Sequence, residues 1–147
     1  YEDCRERMER YYIPYHKALQ DTLVKVREKF GKVYLLDLHS FMGPITEDVC
    51  LGNANGEVAS DSLLPLFKQG FQNEGYSVAV NKVFVGGYIV RHYGKMPKTE
   101  ALQIEIRYTN YLSVNQLDLD APPIQDEVRV DQAKKKLIKV FSACVQL

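Results

Sequence analysis

What this sequence lacks narrows it before any motif is considered. Neither sign of charge prevails, because 19 Lys and Arg face 19 Asp and Glu in 147 residues. A nucleic-acid binder usually carries a basic face, so no nucleic acid is expected as a partner. The Lys134-Lys135-Lys136 run reads as a solvated helix face. Apolar runs are short, none near the roughly 18 residues a membrane helix requires, and no stretch has the pattern of a signal peptide. A membrane is therefore not expected as a partner either. Cysteine is scarce. Cys4, Cys50 and Cys144 are odd in number, scattered and without a CxxC pair. They read as reduced thiols of a cytoplasmic protein, neither a disulfide framework nor a cysteine zinc site. No GxSxG elbow holds a nucleophilic serine, and Gly86-Gly87 lacks the GxGxxG spacing of a dinucleotide loop. Repeats and low-complexity tracts are absent.

What is present is an ordinary globular composition, 46% hydrophobic and 26% charged, enough for the core of one domain spanning residues 1–147. The chain opens Tyr1-Glu2-Asp3-Cys4, already in helical pattern and without Met, and so reads as the C-terminal portion of a longer catalytic domain. Apolar residues at Met8, Tyr11, Tyr12, Tyr15, Leu19, Leu23, Val26 and Phe30 predict an amphipathic helix with one stripe on the core. Pro14 should kink or restart it, and Gly31 should end it. Val33 to Leu38 is a nearly continuous apolar run and predicts a strand buried on both faces. Turn residues fill positions 40 to 60, which read as one long, functional loop. A helix capped by Ser60 or Ser62 is predicted up to Gly75. Strands are predicted over 76–80 and 101–108, and a short strand or turn at Tyr88-Ile89-Val90. After a break at Pro122-Pro123, a helix over 125–145 should turn Val128, Leu137, Val140, Phe141 and Cys144 inward. The order predicts an α/β fold, a three-layer sandwich around a mixed, mostly parallel sheet.

Four segments can carry chemistry. Asp37-Leu38-His39-Ser40 begins where the first strand turns polar, at the C-terminal strand end where open α/β sheets bind ligands. A neutral imidazole there is a good zinc donor, and Ser40 or Asp37 can orient its ring; a purely structural histidine is the competing reading. In Leu102-Gln103-Ile104-Glu105-Ile106-Arg107, alternation sends Gln103, Glu105 and Arg107 to one face. That face is either solvated or lines a cleft. In the second case Glu105 is a general base supported by Gln103 and Arg107. Gly86-Gly87 permits close backbone approaches, and Arg91 offers a fork for a substrate carboxylate. His16 has no second ligand at i+4 and reads as a core-edge histidine. Cys50 with His39 or His92 is the available cysteine-nucleophile arrangement, without a specific signal around it. A metal hydrolase needs roughly three protein ligands, and this chain offers one.

Taken together, Tyr15-His16-Lys17-Ala18-Leu19, Leu35-Leu36-Asp37-Leu38-His39-Ser40-Phe41, Cys50-Leu51-Gly52-Asn53 with Asn55-Gly56, Gly86-Gly87-Tyr88-Ile89-Val90-Arg91-His92-Tyr93-Gly94 and Ala101 to Arg107 resemble the N-formylglutamate amidohydrolase family, in order and in spacing. The resemblance implies a zinc-dependent amide hydrolase with a fold related to the zinc carboxypeptidases, converting N-formylglutamate to glutamate and formate. By it, His39 matches the zinc-binding histidine of an Asp-x-His-Ser motif, and Glu105 matches the general acid/base. Arg91 and His92 fall in a segment lining the substrate site, with Asn53 and Arg107 completing the substrate-binding set. Val90 stands where the resemblance implies Thr in many relatives. The family's Pro-His-Ser-Gly-like motif and its further ligands are not in this sequence. The metal site is therefore expected to be incomplete without a missing N-terminal segment of the same protein. The alternative is a non-catalytic α/β domain that binds a small acidic ligand or a protein partner.

Overall fold

The computed structural model describes residues 2–59, 62–113 and 126–144. The expected break at Pro122-Pro123, the possible cap at Ser60 and the outermost residues of the last helix lie outside these. A short helix α1 (Glu2–Arg7) runs through a π-helical stretch (Met8–Tyr12) into α2 (Ile13–Phe30). The widened turn accommodates Pro14. Ile13 N–H reaches back to Met8 O, one residue further than in an α-helix, and Pro14 begins the next helix where its missing N–H does little harm. Gly31 ends α2 in the left-handed region at φ 79°, its N–H donating to Arg27 O.

The sheet comprises β1 (Val33–Phe41), β2 (Val49–Gly52), β3 (Val78–Val80) and β4 (Thr99–Arg107), in the spatial order β1-β4-β2-β3. β1 is parallel to β4 and β2 to β3, while β2 runs antiparallel to β4, so the sheet is mixed with parallel pairs in the majority. Helices α3 (Leu63–Asn73), α4 (Tyr88–Tyr93) and α5 (Glu127–Cys144) complete the described elements with two 3-10 turns. Alternation along the strands divides the sheet into two different faces. Val49, Leu51, Leu102 and Ile104 pack on Leu63, Phe67 and Phe71 of α3 and Val140 of α5. Burying each such side chain contributes roughly 1.5–3 kcal/mol, so this is the main core. On the other face, Val33 and Leu35 meet Leu23 of α2 and Tyr93 of α4. The result is three layers, with α3 and α5 below the sheet and α2 and α4 above it.

Several sequence expectations change. The stripe on the first helix is only partly a core stripe: Leu19, Leu23 and Val26 pack inward, but Met8, Tyr11, Tyr12, Tyr15 and Phe30 are exposed. The 40–60 loop contains β2, whose four residues are all buried; a strand this short between turn residues leaves almost no periodicity to read. Tyr88 to Tyr93 is a helix, not a strand or turn. Its β-branched and aromatic residues disfavour helix, yet Val90 and Tyr93, three apart, are both buried, and that packing decides the conformation. Val128 points outward at 67% exposure, and α5 meets the main core through Val140, with Leu137 and Phe141 beside it.

Gly52 is required where it stands. A Cβ there would lie 2.5 Å from Phe84 O, 2.7 Å from Gly86 N and 2.8 Å from Val85 C, all backbone atoms that cannot swing away. Overpacking of this kind costs about 1–3 kcal/mol or more. Gly52→Ala is therefore expected to lower the unfolding free energy, read from urea denaturation, by an amount in that range, whereas Gly43→Ala, with open space around its Cβ, leaves it nearly unchanged. Equal stability of the two variants would contradict the close approach of residues 84–86 to β2.

Candidate active site

Parallel pairing of β1 with β4 sets Asp37 beside Gln103 and His39 beside Glu105. Paired residues on neighbouring strands lie about 5 Å apart and share a face, so these four polar side chains form one patch on the α2/α4 side of the sheet. Antiparallel pairing adds Cys50 opposite Glu105 and Gly52 opposite Gln103. The patch runs between two small apolar clusters, Phe41, Ile45, Cys50 and Ala79 on one side and Ala54, Val58, Val90 and Ala101 on the other.

Glu105 and Gln103 are buried, at 5% and 6% exposure. Gln103 Nε2 donates to Glu105 Oε1 at 2.6 Å, and Gly87 N–H donates to Gln103 Oε1 at 2.7 Å. His39 is half exposed, and its Nε2 lies 3.0 Å from Asp37 Oδ1. A carboxylate at that position accepts the Nε2 proton and leaves the lone pair on Nδ1. Asp37 is thus the orienting partner; Ser40 lies on the opposite face of β1 and hydrogen-bonds Tyr111. A buried carboxylate and a half-exposed, held imidazole on the neighbouring strand form a pair suited to moving a proton at a bound substrate.

The other candidates occupy different positions. Arg91 Nε donates to Gly86 O at 2.9 Å, tying its guanidinium to the glycine pair that also contacts Gln103. Arg107 Nε donates to Glu47 O at 3.1 Å, and its guanidinium lies over the Phe41 ring. Asn53 is built into the turn after β2. Its Oδ1 accepts from Gly56 N–H at 2.9 Å and from Asn81 Nδ2 at 2.8 Å. His92 stacks on Tyr88 at 4.9 Å and lines a cleft of about 270 Å³ between α2 and α4, together with His16, Tyr12 and Tyr93. There His16 Nδ1 lies 2.6 Å from Tyr93 Oη, which makes it the core-edge histidine its isolation on α2 implied. Burial, foremost, pushes the Tyr93 hydroxyl above the ordinary tyrosine pKa, and a hydrogen bond with Tyr88 does the same for Tyr12. Cys50 is fully buried in its apolar cluster, its Sγ 3.8 Å from Phe84 O, which gives no support to a cysteine nucleophile. Sequence reasoning missed the Gly87 amide and Asn81. The Gly86-Gly87 pair was the available signal for the first; nothing marked the second.

The sequence model of the N-formylglutamate amidohydrolase family matches residues 1–112. The chain belongs to this family. Two N-formylglutamate deformylases are similar to it. The one from Pseudomonas putida is 36% identical over 121 residues, covering 76% of this chain and 45% of its own length. The one from Pseudomonas aeruginosa is 29% identical over 110 residues, covering 69% and 41%. The chain thus spans a little under half the length of these relatives. In fold it is similar to the crystal structure of N-formylglutamate amidohydrolase from Ralstonia eutropha JMP134, with a TM-score of 0.78 at 26% identity over 97% of this chain and 53% of that one. His39, Glu105 and the Gly86-Gly87 turn all fall within the residues matched by the N-formylglutamate amidohydrolase model.

Zinc was implied by resemblance, and the donors can be tested against it. Among the described residues no three His, Cys, Asp or Glu side chains gather closely enough to hold a metal ion. Structural and catalytic zinc sites use three or four protein ligands. The described residues therefore do not fit a complete zinc site. Equilibrated with zinc and freed of unbound metal, the chain is expected to retain far less than one equivalent. A full equivalent by elemental analysis would overturn this account of its donors.

Proposed function

We propose that this chain supplies the acid/base half of an N-formylglutamate hydrolase site, with Glu105 as its proton carrier. The reading rests on one observation: the in-register pairing that sets His39 beside Glu105 on one sheet face, within a family whose relatives are N-formylglutamate deformylases. Glu105 takes a proton from the water that attacks the formyl carbon and returns it to the departing nitrogen, releasing formate and glutamate. A carboxylate can perform both transfers because it accepts in one step and donates in the next.

The substrate carries carboxylates, and Arg91 offers a bidentate fork for one of them. His92 beside it, Arg107 further along β4 and Asn53 at the end of β2 complete the proposed substrate-binding set. Zinc enters this reading as a cofactor of the whole protein, to which this chain contributes His39 and other parts of the protein the remaining donors. A carboxypeptidase-like layout of that whole catalytic domain and a cytoplasmic location belong to the same proposal. No described helix is long and apolar enough to cross a membrane.

The test separates chemistry from binding. In the whole protein, Glu105→Gln keeps the side-chain shape and removes the proton acceptor, so kcat for N-formylglutamate is expected to fall about a hundredfold or more. Metal content and KM should change little. Arg91→Ala is expected to act mainly on KM, as loss of a uniform binding contact does. Undiminished kcat in Glu105→Gln would refute the assignment, whereas absence of turnover in the unaltered whole protein would favour a non-catalytic binding domain.

A further inference from the structure

Gln103 has a neutral side chain with a donor at one end and an acceptor at the other, and the two ends are chemically distinct. Its acceptor oxygen is engaged by Gly87 N–H at 2.7 Å. A backbone amide can only donate, so this contact fixes the orientation of the whole side-chain amide and turns Nε2 toward Glu105. The resulting bond, 2.6 Å to Glu105 Oε1, lies between two side chains at 6% and 5% exposure. Water competes little with it there, and a hydrogen bond at low local dielectric is correspondingly firm. No other hydrogen bond from a described residue reaches the carboxylate.

We propose that Gln103 is a positioning residue for Glu105, its amide orientation imposed by the Gly87 backbone. The inference rests on the proton-carrier reading of Glu105 given above and adds to it a device that acts through the carboxylate alone. Oε1 is held by Gln103, and Oε2 is thereby aimed as the oxygen that exchanges the proton. The Gly87 amide reaches Gln103 because residues 84–86 lie against Gly52, where a Cβ would meet their backbone. Two motifs far apart in sequence, Gly86-Gly87 and Leu102-Gln103-Ile104-Glu105, are in this way one unit. No substrate contact is assigned to Gln103, so its effect should fall on turnover and not on binding.

Two variants of the whole protein test this. Gln103→Glu can still accept from Gly87 N–H but presents an acceptor in place of the donor to Glu105. Gln103→Met removes both bonds at similar volume. In each, kcat for N-formylglutamate is expected to fall about tenfold or more, since small misplacements of a reacting group have effects of that order. KM should stay within about twofold. A loss of side-chain packing alone would not produce this split. Wild-type kcat in either folded variant, or parallel changes in kcat and KM, would overturn the inference.

An NMR readout keeps the test decisive if neither variant folds. In the wild-type protein, one Gln103 side-chain Nε–H is expected to exchange slowly with solvent and to shift in Glu105→Gln. Rapid exchange of both Gln103 amide protons would overturn the proposal. The Glu105→Gln variant also separates this inference from the reading beneath it. If that variant is fully active, both fail. If it is inactive while Gln103→Glu and Gln103→Met turn over normally, only the positioning role fails.

Discussion

The candidate site depends on a single backbone amide. Gly87 N–H, donating to Gln103, decides which end of that side chain faces Glu105, and so how the buried carboxylate is held. Buried polar groups are tolerated when they are hydrogen-bonded and are costly when they are not. Here the requirement is met through a relay of two bonds. The relay needs the turn at 86–87 to lie close against β2, and that approach needs Gly52, where every nearby atom is backbone. A packing constraint at one strand end thus becomes a constraint on the position of the Glu105 carboxylate.

The sheet supplies the rest. Parallel pairing of β1 and β4 brings His39 to Glu105 without any loop having to place either, and residues held on strands are positioned more firmly than residues on loops. The opposite face carries the main core with α3 and α5, leaving the α2/α4 face to hold a polar patch between two smaller apolar clusters. The same α2/α4 layer contains the other two imidazoles, His16 and His92, both against the Tyr88 ring. On this one side of the sheet, one histidine lies beside a buried carboxylate and two line an aromatic cleft.

Much of this was legible in the sequence, for identifiable reasons. The long β1 and β4 runs declare themselves by apolar continuity and by alternation, and the alternation in Leu102 to Arg107 correctly put Gln103 and Glu105 on one face. The abrupt polarity after Leu36 marked the strand end that carries His39. Four-residue β2 was not legible, because its burial comes from partners on both sides and not from its own pattern. Helix α4 was not either, since its residues favour strand and only the burial of Val90 and Tyr93 makes a helix of it. Periodicity also overstated the first helix. The tyrosines around Pro14 keep helical spacing but are exposed, because spacing reports which residues share a face and not whether anything covers that face.

The central claim is that the His39–Glu105 patch, and not the aromatic cleft between α2 and α4, is where the amide bond is broken. The most direct test is a crystal structure of the whole protein, with Glu105→Gln to halt turnover, soaked with N-formylglutamate. The account requires the formyl carbon to lie within one water molecule of the residue-105 side chain, with Gln103 still bonded to that side chain and to Gly87. A formyl group seated instead among Tyr12, His16 and Tyr88, remote from the residue-105 side chain, would contradict it.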